Sequence, residues 1–182
     1  MITKHDEQTG QKWPALSLTV LGALLRLAPH PPNIAPVGAM SLFSGATLPG
    51  WQAYLVPLLL MMVTDPILAA IGGYQVFGKR TFFVYGAFMI SVWIGRRLRG
   101  TTSIRRIGLA TFACAVQFYL ITNFQVWLFG TMYSHDLAGL ATCYVAALPF
   151  FGYTLIGNAL YSAVLFGSYF WLVKRQLLPV RP

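Results

Sequence analysis

Seven residues have the types and settings needed to hold a small molecule inside an apolar chain: Arg26, His30, Asn33, Asp65, Asn123, Trp127 and Asn158. Asp65 is the only acid within any of the long apolar runs. An ionisable group at mid-bilayer costs about 2.5–3.5 kcal/mol, so it turns toward a bundle interior or a cavity. Two readings of it stand: it contacts a ligand or couples an ion, or it pairs structurally with Arg26. Arg26 has two readings as well, snorkelling to headgroups or a bidentate grip on an anionic group. Asn123 and Trp127 share a helix face at i, i+4, as do Tyr119 and Asn123. An amide among aromatics suits a flat polar ring, although hydrogen bonding between helices explains the same residues. In a binding site, Arg26 and His30 would hold acidic or polar groups. Asn123 and Asn158 would orient the ligand, and Trp127 would stack on it.

Other chemistry finds little footing. There is no GxSxG, HExxH or phosphate-binding Gly-rich motif, and no pair of intramembrane carboxylates, so the chain is not expected to be an enzyme. It cannot hydrolyse ATP by any such motif, so active transport would draw on a partner or an ion gradient. No cofactor is implied, because none of the three histidines lies mid-span where haem would need it. His30, His135, Asp136 and Cys143 lack a ligand spacing on one element, so no metal site is expected. Cys114 and Cys143 sit in apolar surroundings without CxxC spacing and read as small packing residues.

The elements that must position these residues are membrane helices. Of 182 residues, 57% are hydrophobic and 9% charged, where globular chains carry about 25% charged. A span needs roughly 20 apolar residues. The patterning predicts six, at about 14–28, 34–48, 52–71, 81–98, 107–129 and 153–173. The expected class is an all-α, six-transmembrane-helix bundle. Residues 1–12 form a cytoplasmic tail, 13–175 a single transmembrane domain and 176–182 a second tail. The apolar run at 15–25 reads as an uncleaved first helix, because its leader mixes Asp6 and Glu7 with Lys4 and Lys12 and no small-x-small site follows. Helix 2 has small-xxx-small spacing at Ala35/Ala39 and Ser41/Gly45 and should face protein. Residues 139–148 are apolar but too short to span and precede Pro149; they read as an interfacial or re-entrant segment before the last helix.

The formal charge is +9, and its distribution sets orientation. With six spans, Lys4, Lys12, Arg96, Arg97, Arg99, Arg105, Arg106, Lys174, Arg175 and Arg181 share one side, against Arg26, Lys79 and Arg80. The positive-inside rule then makes both termini cytoplasmic in a bacterial inner membrane. No aromatic-flanked basic patch suggests nucleic acid.

Several stretches together resemble a known family. They are 26–33 (Arg-Leu-Ala-Pro-His-Pro-Pro-Asn), 36–39, 43–46, Thr64-Asp65, 122–124 with Trp127, Gly139-Leu140 with Cys143-Tyr144, 148–151, and Gly157-Asn158. They look like a bacterial family of transport-type membrane proteins of uncharacterised function, similar to the substrate-binding S components of energy-coupling factor (ECF) transporters. That resemblance implies a six-helix protein capturing a vitamin or related nutrient from outside. It also implies a membrane coupling subunit and cytoplasmic ATPases as partners, with Ala35 and Ala39 on a face toward the coupling subunit. The family pattern often has Asp where this chain has Asn158. The expected pocket lies in the outer half, lined by helices 1, 3, 5 and 6. The alternative is a membrane scaffold or assembly subunit without a ligand, whose polar residues pair with each other.

Overall fold

The computed structural model describes residues 4–29, 31, 33–73 and 78–177, with side chains from 12 to 175 among these. They form six helices: α1 Lys4–Leu25, α2 Val37–Thr47, α3 Gln52–Gly72, α4 Lys79–Arg96, α5 Ile104–Phe129 and α6 Leu137–Leu177. No strand occurs among the described residues. Three helices, at Gln52–Gly72, Ile104–Phe129 and Leu137–Arg175, are long and apolar enough to cross a membrane. Large side chains such as Val63, Leu109, Val145 and Ile156 stay exposed along them. Water would penalise such a surface, whereas lipid would not.

The shortest helix occupies the centre. α2 has only 11 residues, yet it touches all five other helices. Its residues from Ala39 to Gly45 are all buried. Small side chains make this possible. A Cβ on Gly45 would lie 2.1 Å from the Val92 carbonyl oxygen, and one on Gly95 would lie 2.1 Å from that of Leu42. The α2 and α4 backbones therefore meet without side chains between them, the contact that drives helix association in lipid. The expectation that helix 2 faces protein is met. The expectation that Ala39 faces a partner subunit is not: Ala39 is 1% exposed, inside the core cluster with Phe43, Phe166 and Leu165.

Helix ends depart from the sequence reading where prolines were misjudged. α1 starts at Lys4, so the segment expected as a tail is mostly helical; Gln8, Gln11 and Lys12 are good helix formers. α2 starts at Val37 and not at 34, because Pro36 serves as its N-cap. The largest correction is α6. The separate interfacial or re-entrant segment expected at 139–148 does not exist; 41 residues run as one helix through Pro149. Pro149 has no N–H for the Val145 carbonyl. Beside that gap, Tyr119 on α5 donates to the Tyr144 carbonyl (2.5 Å). That bond falls one residue before the carbonyl that proline frees and ties α5 to α6 there. At about 1.5 Å per residue α6 is about 60 Å long, roughly twice a bilayer's hydrocarbon core.

The bundle has two unlike ends. At one, Arg96 donates to the Gly50 carbonyl (2.8 Å) and Arg99 to that of Leu48 (2.6 Å). These bonds tie the α4–α5 turn to the α2–α3 turn and place cations at the negative end of α2. Arg97 and Arg175 lie over Trp93 and Trp171 there, 4.3 and 3.9 Å from the ring centroids. The other end carries the α5–α6 turn, with Phe83 of α4 against Phe129 of α5.

Candidate functional site

Arg26 follows the last residue of α1, where the described backbone, 26–29, 31 and 33–36, is irregular. Its guanidinium forms an ion pair with Asp65 of α3 (2.5 Å) and donates to Thr64 Oγ1 (2.8 Å). Thr64 in turn donates to the Leu60 carbonyl, and Tyr85 of α4 donates to the second Asp65 oxygen (2.6 Å). Both charged side chains are largely buried, 17% and 14% exposed. Of the two readings of Asp65, the structural pairing is the one present. The acid, the base and a phenol lock α1, α3 and α4 together.

Beside this network lies a cavity of about 230 Å³. Its polar wall comes from Arg26, Asn33, Ser91, Thr154 and Asn158, and Phe88 and Phe118 face it from α4 and α5. Those two rings are stacked, 5.0 Å apart and 27° from parallel. The irregular segment borders the cavity at Asn33 and Ala35. Asn33 adopts φ 66°, a left-handed conformation that asparagine tolerates. α2 is about 16 Å long at its helical rise, too short to cross a bilayer, so backbone outside any helix runs beside it. Such backbone is tolerated at membrane depth only inside protein or along a cavity.

α6 seats this arrangement. A Cβ on Gly157 would lie 3.0 Å from Ile34 Cα, so the missing side chain makes room for the irregular segment. The next residue, Asn158, is 4% exposed and makes no hydrogen bond among the described residues. It faces Gly38, whose Cβ, if present, would stand 2.3 Å from Asn158 Oδ1. By contrast the hydroxyls are engaged. Ser91 accepts from Gln117 Nε2 (2.9 Å) and donates to the Ala87 carbonyl, and Thr154 donates to that of Phe150. A buried amide with free donors and acceptor is an incomplete arrangement, since buried polar groups are otherwise paired.

Three of the seven residues singled out in the sequence therefore meet at one cavity: Arg26, Asn33 and Asn158. Asp65 stands behind Arg26 as its counter-ion. His30 lies outside the described residues. Asn123 and Trp127 are elsewhere. Asn123 donates to the Tyr119 carbonyl of its own helix (2.8 Å) and its carbonyl accepts from Cys143. Trp127 donates to the Ser134 carbonyl (2.9 Å) and meets His135 edge-on, holding the α5–α6 turn. Their shared helix face is real, but it is spent on local structure. In the same turn Asp136 accepts from the Gly139 N–H (2.7 Å) and from Ser134, which holds its carboxyl below the usual carboxylate range. The expected wall from helices 1, 3, 5 and 6 is corrected to the α1 end with α2, α4, α5 and α6. Sequence reading missed Tyr85, Ser91, Phe88, Phe118 and Gly38. The only available signal was Gly38 within the small-residue run, since a serine, a tyrosine or a phenylalanine in an apolar helix is unremarkable.

The profile of a family of unknown function, DUF6580, matches residues 7–180. No curated protein and no solved structure matches the chain.

Proposed function

Because that match runs through nearly the whole chain, the chain belongs to the DUF6580 family, and from that premise we propose that it captures a small molecule in the membrane for uptake. The observation that carries this reading is the buried, unpaired Asn158 at a cavity edged by irregular backbone. Membrane transporters place binding sites where helices are interrupted, because free backbone and side-chain polar groups are available there. The resemblance to ECF S components agrees with it and supplies the partners: a membrane coupling subunit and cytoplasmic ATPases that energise the cycle. In this reading all six helices lie in the bundle and both termini are cytoplasmic. Lys12, Arg96, Arg97, Arg99, Arg105, Arg106, Lys174 and Arg175 gather at one end, against Arg26, Lys79 and Arg80 among the described residues. The cavity then opens toward the outer half, and α6 rises beyond the outer face or leans along it.

The scaffold reading draws on one specific observation: the Arg26, Asp65, Thr64 and Tyr85 network satisfies itself without a ligand. Native mass spectrometry of the gently purified full chain separates the two. Capture predicts a co-purifying small molecule in the wild type that is lost in Asn158→Leu. A bare protein, together with unchanged growth of dependent cells carrying Asn158→Leu, would leave the scaffold.

A further inference from the structure

We infer that the cavity takes an uncharged, planar molecule with an amide-like hydrogen-bonding edge, about the size of one six-membered ring with a single substituent. The inference rests on the capture reading and specifies its substrate class.

Charge comes first. Among the described residues of the wall Arg26 is the only charged one, and its charge is already matched by Asp65, 2.5 Å away. Thr64 occupies another of its nitrogens, and Tyr85 holds the far oxygen of Asp65. An anionic ligand would stand beside a guanidinium already neutralised by Asp65, bringing a second negative charge into a site of low dielectric. A cationic ligand would meet the guanidinium itself. Either brings an unbalanced charge into the bundle, which is what such an interior resists. A neutral ligand leaves the ion pair undisturbed.

Hydrogen bonding comes second. With the Ser91 and Thr154 protons committed to carbonyls, the buried amide in the wall is that of Asn158. It presents a donor and an acceptor side by side, and the matching edge on a ligand is another donor beside an acceptor: a carboxamide, a lactam or the edge of a heterocycle. The missing side chain of Gly38 lets the Asn158 amide lie against the α2 backbone at the edge of the cavity.

Shape comes third. The nearly parallel Phe88 and Phe118 rings give part of the wall a flat aromatic character, suited to an offset ring. The volume, 230 Å³, admits a single substituted ring.

Benzamide and benzoate test this directly, because they share a ring and a shape and differ in charge at neutral pH. Binding to the purified full chain in lipid nanodiscs is measured by saturation-transfer NMR and titration. Benzamide is expected to bind on the order of tenfold or more tighter than benzoate, and Asn158→Leu to weaken benzamide by about tenfold, as expected for a lost hydrogen bond in a buried site. Gly38→Ala, which presses on the same amide from the opposite wall, should weaken it as well. Thermal melts of both variants confirm that they are folded. Equal or tighter binding of benzoate, an unchanged affinity in Asn158→Leu, or no binding of either compound to folded wild type overturns the inference. The capture reading fails separately: it falls if purified wild type carries no small molecule and Asn158→Leu has no effect on cells. A charged molecule co-purifying and released by Asn158→Leu would overturn the substrate class while leaving capture standing.

Discussion

Asp65 and Arg26 show how a single expensive residue organises its surroundings. Each charge alone would be intolerable where it lies, and together they fasten three helices. Removing one partner strands the other, which costs about 3–5 kcal/mol for a buried pair. Asp65→Ala should therefore destabilise more than the double variant Arg26→Ala/Asp65→Ala relative to Arg26→Ala alone. A double-mutant cycle followed by thermal unfolding in detergent should show coupling of about 1–3 kcal/mol; additive effects would mean that the pair is incidental. Asp136 is a milder case outside the helices. Its carboxyl is held below the ordinary range by the Gly139 N–H at the start of α6 and by Ser134. A group depressed on folding stabilises fully above its unfolded value and loses that contribution as pH falls through its folded value. Hydrogen-exchange protection at 137–140 should thus decline as the pH drops below the usual carboxylate range, and Asp136→Asn should flatten the profile. An equally steep profile in the variant would contradict the capping role.

At the scale of elements, α2 was the helix whose small residues could be read correctly and whose partner could not. Small-xxx-small spacing announces close packing, but a helix cannot say against what. Here the answer is α4, through Gly45 and Gly95, each within 2.1 Å of a backbone oxygen for an added Cβ. Backbone cannot move aside as a side-chain end can. Gly45→Ala and Gly95→Ala should each destabilise by about 1–3 kcal/mol, the usual cost of overpacking. Gly38→Ala, which meets only the movable Asn158 amide, should cost less in stability and more in binding. Melting temperatures of the three variants, measured side by side, decide whether this order holds. α6 teaches the converse lesson. Pro149 looked like a boundary because proline breaks helices in water, yet in the assembled bundle Tyr119 supports the carbonyl beside the gap.

For the whole molecule, the proposed orientation rests on where the bases lie once the chain has folded. The Arg96 and Arg99 contacts draw two turns into one basic end, joined there by the close of α6. A chain so arranged should leave cysteines introduced at either terminus or at Thr102 unreactive to impermeant maleimide in intact cells, and one at Met132 reactive. Labelling at Thr102, or at either terminus, would reverse the arrangement and with it the outer placement of the cavity.

Composition and hydropathy were enough to establish an all-helical chain, the location of most helices and the cost of an acid among them, because these depend on local transfer energies that any single stretch reveals. They also marked Asp65 and the intramembrane amides, Asn158 among them, as residues that turn inward, and left Arg26 either snorkelling or binding. Which of them pair and which stay free was decided only in three dimensions. Asp65 found Arg26 and Tyr85 from distant helices, Asn123 was taken up by its own helix and Trp127 by the α5–α6 turn, and Asn158 was left beside Gly38 without a hydrogen bond among the described residues. A hydrogen bond needs its two groups within about 3 Å, and that distance is a property of packing between elements, which no one-dimensional pattern contains.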